Sequence, residues 1–245
     1  MFLIALATGL GVGTATAIGS IMAFFIHRIS HKLNDAIMGF AAGIMLGASF
    51  VSLILPSIGE GVSGIAIPAL GIVCGAFLIN LLDKIVPHMH KFMGVGQGKT
   101  NHSLLLFVMA IALHNFPEGM AVGISFATGE IGNAVSLSIA IALQNIPEGL
   151  ITVSPLLMAG VSRKKALIIG LVTGGVELLG TLVGFGLASI AGAVLPFMLA
   201  LAGGTMIYVI SNDIIPETHS HGFQKPASYS LIAGVIVMLM LDHLL

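Results

Sequence analysis

The chain has 245 residues, of which 57% are apolar and only 8% are charged, and its mean hydropathy is +1.10. Soluble domains carry about a quarter charged residues, so this composition excludes a soluble globular protein and indicates one that lies in a lipid bilayer. The net charge of -1 argues against a nucleic-acid partner, because such proteins present a strongly basic surface.

Eight apolar stretches are each long enough to cross about 30 Å of hydrocarbon as a helix. In chain order they cover approximately residues 2–26, 36–57, 64–86, 103–127, 132–158, 166–190, 192–215 and 227–245. The first stretch lacks a basic leader and is too long for a signal peptide, so we interpret it as a retained helix. The predicted fold is an all-α integral membrane protein, a single polytopic domain with eight transmembrane helices.

The basic residues predict the orientation in the cell (inner) membrane. All nine lie in the first, third, fifth and seventh connections: Arg28, Lys32, Lys84, Lys91, Lys99, Arg163, Lys164, Lys165 and Lys225. His31 and Asp35 are also assigned to the first connection, whereas the even-numbered connections carry no Lys or Arg. Because cytoplasmic loops are enriched in Lys and Arg, we expect the odd connections to be cytoplasmic and both termini extracytoplasmic.

Glycine pairs spaced four residues apart recur along the predicted helices. They are Gly43/Gly47, Gly71/Gly75, Gly170/Gly174 and Gly180/Gly184. Small residues at this spacing are typical of faces where membrane helices pack closely. We therefore predict that these glycines mark contacts between helices.

One ten-residue motif occurs twice. The fourth predicted helix contains Ala-Ile-Ala-Leu-His-Asn-Phe-Pro-Glu-Gly over residues 110–119, and the fifth contains Ala-Ile-Ala-Leu-Gln-Asn-Ile-Pro-Glu-Gly over residues 140–149. The connection around Gly129 is short, so the two helices are expected to be antiparallel and to lie side by side. A motif on two antiparallel neighbours predicts an inverted-repeat core that carries a site near the membrane midplane.

The spacing of the motif places its polar side chains on shared helical faces. His114 and Glu118 are four residues apart and share a helical face, as do Gln144 and Glu148. Pro117 removes a backbone donor, which frees the carbonyl group four residues earlier, and its counterpart in the fifth helix does the same. Free carbonyl groups at membrane depth are tolerated where they line a cavity or meet a partner.

Glu177 is a third carboxylate near the middle of a predicted helix. A central acidic residue costs about 2.5–3.5 kcal/mol in a membrane helix, and no Lys or Arg lies in the interior of any span to neutralise the three glutamates. Either the glutamates are protonated at rest or a cation supplies the opposite charge. We favour the cation site.

The ligand types narrow the choice of cation. Imidazole combined with carboxylate and amide oxygens suits Zn²⁺, Fe²⁺, Mn²⁺, Co²⁺ or Cd²⁺, and the lack of a nearby thiolate disfavours Cu(I). An all-oxygen cage for Ca²⁺ or Mg²⁺ does not need His114. The prediction is a divalent metal ion, zinc in first place, handled as a transported substrate; no catalytic cofactor is predicted.

The paired His-Asn-Phe-Pro-Glu-Gly and Gln-Asn-Ile-Pro-Glu-Gly segments resemble the fourth and fifth helices of the ZIP (ZRT/IRT-like) metal transporters, closest to their prokaryotic, GufA-like branch. The resemblance covers essentially the whole chain. It implies a binuclear site, metal movement toward the cytoplasm and commonly a homodimer. The implied first metal site comprises His114, Glu118, Gln144 and Glu148, approached by Met45; the implied second site comprises Asn115, Glu118, Asn145, Glu148 and Glu177.

One position departs from the family pattern, because Asn145 stands where some members carry Asp. The change removes a charge from the second site and puts its affinity in doubt. Outside the two sites, His88 and His90 are candidates for catching released metal. Four residues near the end of the seventh helix are candidates for an exit relay by resemblance: Asp213, Glu217, His219 and His221.

Two other functions use similar residues. An intramembrane metalloprotease is expected to carry His-Glu-x-x-His, which this chain lacks, so that reading is disfavoured. A metal-selective channel needs the same binding groups as a carrier, and the residues leave the choice between channel and carrier open.

Overall fold

The fold comes from a computed structural model that describes residues 1–25, 30–59, 61–85, 101–158, 160–190 and 194–244. Regular structure within those ranges is helical throughout. In chain order the helices are α1 (Phe2–Met22), α2 (His31–Ser57), α3 (Gly61–Ile85), α4 (Asn101–Thr128), α5 (Ile131–Met158), α6 (Arg163–Ile190), α7 (Leu195–Thr218) and α8 (Gln224–Leu244). The all-α prediction is confirmed.

Seven of these helices are long and apolar enough to cross a membrane in the part of the chain that the structure describes. The helix outside this set is α4, whose side chains at residues 101–114 are not described. The molecule is therefore a multi-pass membrane protein, and the crossing by α4 stays a prediction.

The second helix begins earlier than expected. The apolar stretch predicted to start at about residue 36 lies within a longer helix, because α2 begins at His31, where the hydroxyl of Ser30 accepts a hydrogen bond from the backbone N–H of Leu33 at 3.3 Å. Hydropathy marks only the apolar part of a helix, and α2 continues through polar residues beyond it. His31 and Asp35 thus lie on the first turns of α2 and not in a loop.

Glycine contacts decide which helices pack most closely around the repeated motif. A side chain at Gly119 of α4 would overlap the carbonyl oxygen of Glu177 on α6, and one at Gly149 of α5 would overlap the carbonyl oxygen of Thr16 on α1. The expected side-by-side pairing of α4 and α5 is only partly right. The two helices meet, but α4 packs chiefly on α6 and α5 on α1.

The predicted small-residue faces are helix contacts. Gly43 lies against the backbone of Leu231 on α8, and Gly75 lies against the backbone of Leu201 on α7. Gly170, Gly174, Gly180 and Gly184 likewise face neighbouring helices, as do Gly47 and Gly71. The prediction made from their spacing is confirmed.

The connection between α4 and α5 is a tight turn. Gly129 has φ +86, a left-handed conformation that favours glycine, and the next residue, Glu130, donates its backbone N–H to the hydroxyl of Thr128 at 3.2 Å. So short a connection returns the chain at once into α5, which brings the two copies of the motif to neighbouring helices.

Two helices contain a π-helical segment. In α2 it covers Ser49–Ile54 and in α7 it covers Ile210–Ile214, and a proline follows each of them at Pro56 and Pro216. Each segment adds a residue to the turn before the proline, which cannot donate a backbone hydrogen bond. Hydropathy alone does not reveal such segments, and they were not predicted.

Candidate metal-binding site

The polar residues of the motif are buried between α4, α5 and α6. Asn115 and Glu118 lie on α4, and Gln144 and Asn145 lie on α5; each exposes no more than 1% of its surface. Glu177, on α6, is fully buried as well. The structure thus brings five of the predicted site residues into one buried layer.

Glu177 is held by three hydrogen bonds. Its Oε1 accepts from the side-chain amide of Asn115 at 2.6 Å and from the hydroxyl of Thr16 at 2.5 Å, and its Oε2 accepts from the side-chain amide of Asn145 at 2.6 Å. The donors come from α1, α4 and α5. One carboxylate therefore connects α6 to three neighbouring helices.

Thr16 is a site residue that the sequence analysis missed. It is 99% buried on α1, a helix that had been assigned no part in the site. A signal was present in the sequence, because Gly13-x-x-Thr16-x-x-Gly19 has the same spacing as Gly174-x-x-Glu177-x-x-Gly180. Such a spacing does not by itself indicate a site, because its partner on α6 lies 161 positions away.

A separate hydrogen bond connects α4 directly to α5. The side-chain amide of Gln144 donates to Oε1 of Glu118 at 2.9 Å. The side-chain amides of Asn115, Gln144 and Asn145 thus each donate a hydrogen bond to a carboxylate, and this sets the direction of their carbonyl oxygens.

Four acceptor oxygens in this layer are buried and meet no hydrogen-bond donor among the described residues. They are Asn115 Oδ1, Glu118 Oε2, Gln144 Oε1 and Asn145 Oδ1. Buried polar atoms in folded proteins are paired in the great majority, and each unpaired one costs about 1–3 kcal/mol. A cluster of unpaired oxygens is the arrangement that a cation would complete.

The remaining predicted ligands are less fully defined. Glu148 is partly buried on α5, and Met45 is buried on α2 in the apolar core that also includes Ile141 of α5. His114 lies in α4, but its side chain is outside the described residues. Among the described side chains, no three His, Cys, Asp or Glu lie where they could hold a metal ion together, so a metal bound in this layer would need other ligands as well, such as the amide oxygens.

A separate polar cluster joins the start of α2 to the end of α7. His221 Nδ1 lies 3.1 Å from Oδ1 of the fully buried Asp35, and His221 Nε2 lies 3.8 Å from Oε1 of Glu217. The rings of His31 and His221 stack with centroids 4.5 Å apart. Sequence analysis had assigned Asp35 and His31 to a loop and given them no role.

The proposed exit-relay residues occupy different environments. Asp213 is buried on the π-helical segment of α7, where Oδ1 accepts from Asn212 at 2.9 Å. The Nδ1 of His219 faces the carbonyl oxygen of Ile215 at 2.8 Å, and its Nε2 faces Ser228 at 3.3 Å. His219 is therefore bonded locally and does not join the His221 cluster. His88 and His90 lie outside the described residues.

Together the fold and the buried layer define a class: a multi-pass helical membrane protein with carboxylates and amides concentrated inside the membrane-spanning bundle. A family model described as ZIP Zinc transporter matches residues 94–242. The chain is 38% identical over 246 residues to "Zinc transporter GufA" of Myxococcus xanthus, a match that covers 97% of each protein.

Two further relatives agree. The chain is 41% identical over 238 residues to "Zinc transporter ZIPB" of Bordetella bronchiseptica, covering 93% of this chain and 77% of that protein. It is 34% identical over 245 residues to "Zinc transporter ZupT" of Chlorobium phaeovibrioides, covering 92% of each. The chain belongs to the ZIP family. The predicted resemblance is confirmed.

Proposed function

We propose that this protein carries divalent transition-metal ions, zinc in first place, across the membrane toward the cytoplasm. The ion is bound by His114, Glu118, Gln144 and Glu148, with Met45 close by, and a second, weaker position is formed by Asn115, Asn145 and Glu177 together with the two shared glutamates. The observation that carries the proposal is the set of buried oxygens on α4 and α5 that meet no hydrogen-bond donor in the part of the chain that the structure describes.

A single cation would offset two unfavourable contributions to the free energy of this site, the unpaired buried oxygens and the buried negative charge. It would accept electron pairs from these oxygens and would supply positive charge to carboxylates near the middle of their helices, whereas the basic residues of the chain lie near helix ends or between helices. Asn115, Gln144 and Asn145 each donate an N–H to a carboxylate. Their carbonyl oxygens therefore point away from those carboxylates and are available to coordinate the ion.

The donor set supports a borderline metal. Imidazole with oxygen ligands suits zinc, and it also suits iron, manganese, cobalt and cadmium, which are therefore secondary candidates. Relatives that bear the name zinc transporter favour zinc among these ions. They also favour a transporter over an enzyme.

The second position is proposed to be the weaker one. Glu177 already receives three hydrogen bonds, so its charge is stabilised without an ion. An Asn at position 145 adds a neutral donor to Glu177 where an Asp would add a negative charge. One ion is therefore expected at the His114 end before a second binds beside Glu177.

The same proposal includes eight crossings, an inverted-repeat core and cytoplasmic odd-numbered connections, with both termini outside the inner membrane. Support for the repeat comes from the two motif copies, which match at eight of ten positions, and from the π-helical segments that precede a proline in both α2 and α7. Partners of the chain are the metal ion, the lipid bilayer and a second copy of itself, the last by family resemblance.

Uptake by the purified protein in sealed vesicles tests this function. Zinc flux should saturate with concentration, and excess Cd²⁺, Fe²⁺ or Mn²⁺ outside should compete with it. Flux that rises linearly without saturation would favour a channel over a carrier. No metal flux above that of empty vesicles would contradict the proposal.

A further inference from the structure

The hydrogen bond between Thr16 and Glu177 joins equivalent positions of two helices. Gly13 of α1 and Gly174 of α6 lie against each other's backbone, three residues before Thr16 and Glu177 respectively. The hydroxyl of Ser20 donates to the carbonyl oxygen of Thr16 at 2.9 Å. On α6, the hydroxyl of Thr181 donates in the same way to the carbonyl oxygen of Glu177 at 2.9 Å.

The motif helices extend this correspondence. Gly119 of α4 packs on the carbonyl oxygen of Glu177, and Gly149 of α5, thirty residues later, packs on the carbonyl oxygen of Thr16. Thr16 therefore occupies the same position relative to α5 that Glu177 occupies relative to α4. The bundle places a hydroxyl and a carboxylate at two positions that a symmetric site would fill alike.

This asymmetry has a chemical consequence. Two facing carboxylates at 2.5 Å would repel each other unless a proton or a cation lay between them. A threonine hydroxyl instead donates to Glu177 and adds no charge. With that donor on Oε1, the same carboxylate still accepts one amide on each of its oxygens, from Asn115 and Asn145.

The orientation of those amides controls where their carbonyl oxygens point. Each amide has its N–H₂ group committed to Glu177, and each has its Oδ1 buried without a donor among the residues the structure describes. Any rotation of the Glu177 carboxylate would break one of the two amide contacts. Its rotation is restrained by the third hydrogen bond, from α1.

We propose that Thr16 is a positioning residue of the metal site: its hydroxyl fixes the Glu177 carboxylate, which in turn aims the carbonyl oxygens of Asn115 and Asn145 at the ion. This inference rests on the proposed metal transport and adds α1 to the elements that set metal affinity. Thr16 does not touch the ion; it acts through Glu177.

Isosteric substitution separates this role from packing. Thr16→Val removes the hydroxyl and keeps the shape, and Thr16→Ser keeps the hydroxyl. Thr173→Val is the matched control, because Thr173 is also fully buried in a membrane helix. Among the described residues its hydroxyl bonds to the backbone of its own helix, at the carbonyl oxygen of Gly170, 2.9 Å away. Thr16→Ala serves if the valine variant cannot be purified.

Zinc uptake into vesicles is measured for each variant as KM and Vmax. Thr16→Val should raise KM about tenfold, which is the effect of losing about 1.4 kcal/mol of binding, with Vmax within about twofold of the wild type. Thr16→Ser should restore KM, and Thr173→Val should match the wild type.

Two results would overturn the inference: a Thr16→Val KM equal to that of the wild type, or an equal rise in Thr173→Val. A lower Vmax at unchanged KM would also overturn it, since positioning of ligands acts on affinity. The wild-type flux separates this inference from the function itself. If the wild type moves no metal, the proposed function is wrong; if it does, the ratio between variants decides the role of Thr16.

Discussion

The side-chain amide of Asn145 donates to Oε2 of Glu177 at 2.6 Å, and both residues are fully buried. Asn145 is thus a hydrogen-bond donor to the carboxylate that family resemblance assigns to the second metal position. An aspartate there could not donate while ionised, and it would bring a like charge to Glu177. Where the family resemblance implies an Asp in some members, Asn145 therefore provides a hydrogen bond in place of a charge.

Asn145→Asp should make the protein depend on metal for stability. Without metal, the lost hydrogen bond and the added charge should destabilise the fold by about 2 kcal/mol. Saturating zinc should then stabilise the variant more than the wild type, because four carboxylates balance two divalent ions. Thermal unfolding with and without zinc measures both effects. Asn133→Asp, in the same helix, is the control. If zinc raises the unfolding temperature of Asn145→Asp no more than it raises that of the wild type, the added carboxylate does not bind metal.

His114→Ala should weaken zinc more than manganese. Imidazole contributes most to binding of the borderline metal, so we expect the KM for zinc to rise at least about tenfold and the KM for manganese to rise less. Uptake of both ions by the same vesicle preparation makes the comparison. His243→Ala, at an exposed position near the end of α8, controls for general loss of histidine. Equal losses for the two metals would undo the assignment of His114 as a ligand.

The contact between Asp35 and His221 should stabilise the fold. It joins α2 to the segment after α7 across 186 positions of sequence, and Asp35 is fully buried while about a quarter of His221 is exposed. A double-mutant cycle with Asp35→Asn and His221→Ala should give a coupling energy of about 1 kcal/mol in the free energy of unfolding. The pair Asp35→Asn and His243→Ala should be additive. Additivity in both pairs would show that the Asp35–His221 contact contributes nothing.

The orientation can be tested with single cysteines. In a Cys74→Ala background, Gly98→Cys should be protected from an impermeant maleimide in intact cells, because its connection is predicted to be cytoplasmic. Glu130→Cys, at the exposed turn after α4, should react. Labelling of Gly98→Cys from outside, with Glu130→Cys protected, would invert the predicted topology.

Sequence alone predicted the helical class, the small-residue contacts and the five polar residues of α4, α5 and α6 that the structure buries in one layer. Apolar length and glycine spacing were sufficient because each has one strong physical meaning. The role of the five polar residues as metal ligands stays a prediction. The start of α2 was missed because a helix continues beyond its apolar part once Ser30 caps it. Thr16 and Asp35 were missed because their roles depend on partners 161 and 186 positions away, which periodicity within one helix does not reveal.

Zinc uptake by Glu118→Gln tests whether Glu118 and its neighbours bind the transported ion. The substitution keeps the size of the buried side chain and removes its charge, so saturable zinc uptake into vesicles should fall to the level of empty vesicles. Glu130→Gln, which removes an exposed carboxylate from the α4–α5 turn, should transport zinc like the wild type. Wild-type KM and Vmax in a well-folded Glu118→Gln protein would contradict the account.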